Sequence, residues 1–241
     1  MDFNSLATKY VGDAATAYDA RRAPSCKWRA EEDAARELLS LVPRGSRMLD
    51  VPIGTGRLLP HIKAHRFEAH GLDVSHDMLA LAQARATATD TQVSLGLGDI
   101  RNIPFEDEHF DLVSCVRFLN LIDRAGVDEV VTELTRVTRD RLLLGIRYLP
   151  SFDALTRGPS PKVRLCMRAL GATRLIAHRR CLYFHPRSFI EHLFERLGLE
   201  ITMERHIEGR LDGTDYAFFL LRKRQSRPRV VEQRTRSSAV A

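Results

Sequence analysis

No stretch of this 241-residue chain approaches the ~20 apolar residues that a membrane helix needs, and its start, MDFNSLATKY, lacks the basic residues and apolar run of a secretory signal. A cytoplasmic protein is therefore expected. Cysteine is scarce: Cys26, Cys115, Cys166 and Cys181 stand far apart, without the paired spacing of a zinc site or redox dithiol, and read as reduced thiols in packing roles. The nine histidines form no HExxH or comparable cluster, so no metal site is expected. A GxxxxGK(S/T) phosphate loop is missing, and no repeat or low-complexity tract precedes the C-terminal tail.

Acid is missing from one long stretch. Between Ala154 and Ile190 there are eight Lys or Arg residues, with His178 and His185 among them, and no Asp or Glu. The formal charge of +6 does not come from there, because the seven basic residues and one acid from Arg222 onward account for all of it. The body is neutral overall, which argues against a nucleic-acid partner, and the tail reads as a solvated, disordered end.

What is present fits one sizeable α/β domain, at 44% hydrophobic residues. A single domain over residues 1–223 is expected, followed by the tail at 224–241. Its organising stretch is Met48 to Leu58, MLDVPIGTGRL, read as a buried strand ending at Asp50, a turn from Pro52 to Gly56, and a helix from about Arg57. Glycines at 54 and 56 let a ligand approach the backbone, and the opening amides of a helix offer unpaired donors. Before it, a helix from about Lys27 to Leu41 carries Trp28, Ala34, Ala35, Leu38 and Leu39 near helical spacing, with Glu31 interrupting the apolar stripe. Residues 1–28 read either as a frayed terminus or as a lid, for which Tyr18 and Arg22 supply a ring and a guanidinium suited to a charged small molecule.

After the loop, EAHGLD rises into a strand ending at Asp73, and Ser75 caps a helix with Met78, Leu79, Ala82 and Ala86 on one face. A third short strand, Val93 to Leu97, leads to Asp99; FDLVSC, a helix from about Val127 to Val137, and RLLLGIRY continue the alternation. Pro186 at a first helical position opens SFIEHLFERLG, and two strand-like runs, LEITMERHI and DYAFFLLR, close the body. This order implies a mostly parallel sheet with crossover helices. Three acids, Asp50, Asp73 and Asp99, fall at carboxyl ends of successive strands, where such sheets bind ligands.

Here the sequence resembles the class I S-adenosylmethionine-dependent methyltransferases, to about Arg222. LDVPIGTGR looks like their first motif, GLDVSHDML their second, and GDIRNIPFEDEHFDLV their third and fourth. The resemblance implies a Rossmann-like sheet, mostly parallel with a C-terminal antiparallel strand and helices on both faces, and S-adenosyl-L-methionine as cofactor. It implies that Gly54, Thr55 and Gly56 admit the cofactor's amino-acid and ribose portions, with Pro52 and Val116 in the same wall. Asp73 would accept the ribose hydroxyls, with Val74 and Met78 near the adenine; Asp99 would take the adenine amino group, Ile100 would pack on the ring, and Asp50 would orient the loop or the methionine ammonium. Pro52 departs from the family's commonest glycine and suggests a stiffer loop. A nicotinamide enzyme on the same fold wants a third glycine where this chain has Leu59.

Methyl transfer needs little acid or base help, because the sulfonium is already activated and positioning supplies much of the rate. Tyr148, His178 and His185 are candidates for a base, each with an ordinary structural role as the alternative. Arg117 and Asn120 stand where family members often build the acceptor pocket. The basic insertion, residues 150–187, lies where the family's substrate covers sit, and Arg164 and Arg168 would share a helix side. An anionic small-molecule acceptor is the leading expectation. A catalytically silent adaptor docking to a membrane surface or a protein, and an RNA or protein methyltransferase, are the alternatives.

Overall fold

The structure, a computed structural model, describes residue 12 and residues 26–149, 176–177, 180–181, 183, 185–207 and 215–224. Tyr18, Arg22, Arg164, Arg168 and His178, most of the basic insertion and nearly all of the tail lie outside the described residues.

The chain alternates as its sequence pattern implies. Helix α1 (Cys26–Leu39) precedes strand β1 (Arg47–Asp50); then come α2 (Leu59–His65), β2 (Glu68–Asp73), α3 (His76–Ala88), β3 (Ser94–Leu97) and β4 (Phe110–Cys115). A 3-10 turn at Leu119–Leu121 leads to α4 (Arg124–Val137) and β5 (Thr138–Leu149). A small hairpin, β6 (Ile176–Ala177) with β7 (Arg180–Cys181), stands apart from the main sheet. The end is β8 (His185–Pro186), α5 (Arg187–Arg196), β9 (Leu199–Ile207) and β10 (Asp215–Lys223).

The main sheet runs β3-β2-β1-β4-β5-β10-β9, with β8 pairing β5 beside this path. Strands β1 to β5 run parallel to one another, and β10 is antiparallel to both β5 and β9. Alternation along the strands divides two cores. Met48, Leu112, Leu143, Phe218 and Leu220 join α1 and α2 on one face. Leu49, Val113, Leu142, Leu144 and Phe219 join α4 and α5 on the other. Burial on both faces explains why these strands read as continuous apolar runs. Strand order reverses between β1 and β4, so their carboxyl ends part and leave a crevice.

Two local departures from the sequence reading have physical causes. Helix α2 begins at Leu59 rather than Arg57, because Gly54 and Gly56 both hold positive φ (56° and 74°) and prolong the turn. Pro186 is the cap of α5 instead of its first residue, since β8 draws it into pairing with Leu149. Glu31 does fall within the apolar stripe, as the sequence implies; it is fully buried there and paired with arginines from two later loops. Among the described residues no helix is long and apolar enough to cross a membrane.

Candidate active site

A cavity of about 110 Å³ opens in the crevice. The loop after β1 gives it Asp50, Pro52, Ile53, Gly54, Thr55, Arg57 and Leu58. Asp73, Val74, Ser75 and Met78 come from the end of β2 and the start of α3; Val116, Arg117, Phe118 and Leu121 follow β4; Trp28 comes from α1.

The floor is built from carboxylates tied to backbone. Asp73 Oδ2 accepts the Gly54 N–H at 2.9 Å and its Oδ1 the Ser75 N–H at 3.0 Å, fastening the loop to the second strand. Burial raises the Asp73 pKa above the ordinary carboxylate value, opposed by N–H donors from Ser75, Gly54 and Val74. Asp50 accepts the Ser114 hydroxyl at 2.6 Å. Its pKa is pushed up to about 7, first by burial and then by the nearby Asp73 charge, with the Ser114 hydrogen bond acting the other way. Ser75 caps α3 by accepting the Met78 N–H, as its sequence position implies. A Cβ at Gly54 would meet nothing within 4 Å, so this glycine faces open space where a ligand's backbone contact belongs.

The opposite wall is a clasp of charge and ring. Arg57 lies over the Trp28 ring at 3.9 Å and donates to the Trp28 carbonyl at 3.1 Å. Its Nε donates to Glu32 at 2.6 Å, and its Nη1 to Glu31. Arg117, at φ 65°, donates from Nε to the same Glu31 oxygen at 2.6 Å. Glu32 also meets His61 Nε2 at 3.1 Å; burial works against its ionisation, but His61 and Arg57 hold its pKa below the ordinary value.

The crevice thus brings together Asp50, Pro52, Gly54, Thr55, Asp73, Val74, Met78, Val116 and Arg117 from the expected set. Gly56 stands behind the lining, where a Cβ would lie 2.5 Å from Leu59 Cδ1. Ile100 is in the core, and Asp99 is held by Arg101 at 2.6 Å, which keeps its pKa low; neither lines the cavity. Asn120, His185 and Tyr148 are buried and also outside the lining. His185 Nε2 meets the Leu119 carbonyl at 3.1 Å, and the Tyr148 hydroxyl donates to Glu204 at 2.9 Å. Trp28, read from the sequence as part of a possible lid, lines the cavity, whereas sequence reasoning left out Arg57, Phe118 and Leu121; the GTGR tetrapeptide was the one available signal, since its arginine follows the glycine turn directly.

Residues 48–141 match the family model described as a methyltransferase domain. Over those residues the chain is similar to a methyltransferase domain. Among curated relatives of this domain, a phosphatidylethanolamine N-methyltransferase from Cereibacter sphaeroides is 36% identical over 98 residues, 40% of this chain and 47% of that protein. A demethylmenaquinone methyltransferase from Deinococcus radiodurans is 37% identical over 106 residues, 42% of this chain and 43% of that one. The chain therefore spans about half the length of the curated relatives it matches. The methyltransferase fold extends further than the sequence likeness. The magnesium protoporphyrin IX methyltransferase of Synechocystis PCC 6803, solved with bound SAH, superposes with a TM-score of 0.62 at 18% identity, covering 92% of this chain and 94% of that one.

Proposed function

We propose that this protein transfers a methyl group from S-adenosylmethionine to a small-molecule acceptor. The observation that supports it most is the Asp73 carboxylate at the end of β2, tying the glycine loop to the second strand beside an open Gly54, within a region similar to a methyltransferase domain. The residues fit the cofactor chemically. A ribose diol is a donor and suits Asp73, the apolar Val74 and Met78 suit a purine face, and Asp50 suits an ammonium group. Asp99 and Ile100 then support the adenine side from outside the lining. When bound, the cofactor supplies an electrophilic methyl group on a sulfonium. The chain's own task is to hold the acceptor in line with it and to keep water out, for which Trp28, Phe118 and Leu121 provide apolar walls.

The acceptor is proposed to be anionic, on the strength of the acid-free stretch from Ala154 to Ile190. The N-terminal segment is proposed as its lid: the Gly12 N–H donates to Asp77 at 2.7 Å, at the first turn of α3 beside the cavity. A screen of pooled metabolites with methyl-labelled S-adenosylmethionine tests the reading. Label transfer that disappears in Asp73→Ala is the expected result; no transfer across anionic, neutral and cationic pools would overturn it.

A further inference from the structure

We propose that Glu31 is a positioning residue of the cofactor cavity: its buried carboxylate fixes Arg57 and Arg117 in the wall and cancels their charge, so that the cavity admits a sulfonium cation. The inference rests on the S-adenosylmethionine reading above. Arg57 follows β1 and Arg117 follows β4, and the fold brings both guanidiniums to one cavity. Two uncompensated positive groups there would oppose a ligand whose reacting centre is itself positive. Glu31 is 0% exposed, and one of its oxygens takes both arginines. Its other oxygen is buried without a hydrogen-bond partner.

A carboxylate oxygen buried without a hydrogen-bond partner costs free energy, so a purely mechanical tie is a poor explanation for an acid here. Glu32 already anchors Arg57 and His61 from the same helix. What Glu31 adds is the second negative charge, so that Glu31 and Glu32 balance Arg57 and Arg117. Among the described residues, the remaining charged groups facing the cavity are Asp50 and Asp73 at its floor. With the clasp neutral, these carboxylates set the sign of the site, and a cation is favoured.

The test compares S-adenosylmethionine, which carries the sulfonium, with S-adenosylhomocysteine, which does not. Calorimetric Kd values are measured for both ligands on the full chain, wild type, Glu31→Gln, Arg117→Gln and the double variant. Glu31→Gln keeps the shape and removes the charge. It should weaken S-adenosylmethionine on the order of tenfold, the scale of one unit charge acting over several ångströms, and S-adenosylhomocysteine by less than about threefold. Arg117→Gln should move the ratio the other way, and the double variant should restore it. Equal factors for both ligands in each variant would overturn the proposal and leave Glu31 a structural tie. If Glu31→Gln does not fold, Arg117→Gln alone decides by the direction of the ratio. Failure of both ligands to bind wild type would instead refute the cofactor reading itself.

Discussion

The Ser114 hydroxyl donates to the Asp50 carboxylate at 2.6 Å, joining β4 to β1 at the point where the sheet opens. Both side chains are buried, so this one hydrogen bond must stabilise a carboxyl group that water no longer solvates.

The consequence is a pH dependence of known sign. Asp50 has its pKa raised in the folded state, from 3.8 to about 7, so the native protein holds a proton that the unfolded chain releases. Its contribution is fully present below the unfolded value and is lost as pH rises to about 7. Asp50→Asn, which cannot ionise, removes that loss. Denaturant unfolding of the apo protein at pH 5 and pH 8 should show the variant gaining on wild type at the higher pH. A constant difference would show that Asp50 does not titrate in this window.

Asp73 is predicted to matter more for ligand than for fold. Asp73→Asn keeps one acceptor oxygen for the Gly54 and Ser75 amides but loses the charge that a ribose diol would meet. A charge-assisted bond is worth about 1.5–3 kcal/mol, so the S-adenosylmethionine Kd should rise by roughly ten- to a hundredfold. An unchanged Kd by calorimetry would remove Asp73 from the site.

The two loop glycines should separate. Both have positive φ, but a Cβ at Gly54 meets open space, whereas at Gly56 it meets the buried Leu59. Gly54→Ala should cost about 1 kcal/mol of backbone strain and weaken cofactor binding. Gly56→Ala should cost more, about 2–3 kcal/mol, because the added methyl must displace the fully buried Leu59 and also meets the Ala82 backbone at 3.4 Å. Thermal melts of the two variants give the order directly; equal melting temperatures would contradict it.

Arg164 and Arg168 test the acceptor's charge. Reversing both to Glu should raise the KM of an anionic acceptor found by the screen and leave the cofactor Kd unchanged. Unaltered kinetics would leave the basic stretch without a part in recognition.

Much of this was legible in the sequence because its signals are local. The Ser75 cap needs only Met78, three residues on, and the first three strands announce themselves by acids at or just after their ends, Asp50, Asp73 and Asp99. Glu31 was not legible. Its partners are 26 and 86 residues away, and no period along α1 encodes them, so the acid read as a break in the stripe. Asp99 shows the converse: its place after β3 suggested a ligand contact, whereas it is engaged by Arg101 two residues on and stands outside the cavity lining. Strand β8 is two residues long and shows no alternation to read; its pairing with Tyr148 and Leu149 follows from tertiary position.

The most direct measurement is calorimetry of the full chain with S-adenosylmethionine and, separately, with NAD. Saturable binding of S-adenosylmethionine at one site, abolished or strongly weakened by Asp73→Ala, with no heat from NAD, is the predicted result. Binding of NAD without S-adenosylmethionine would contradict the assignment of this cavity.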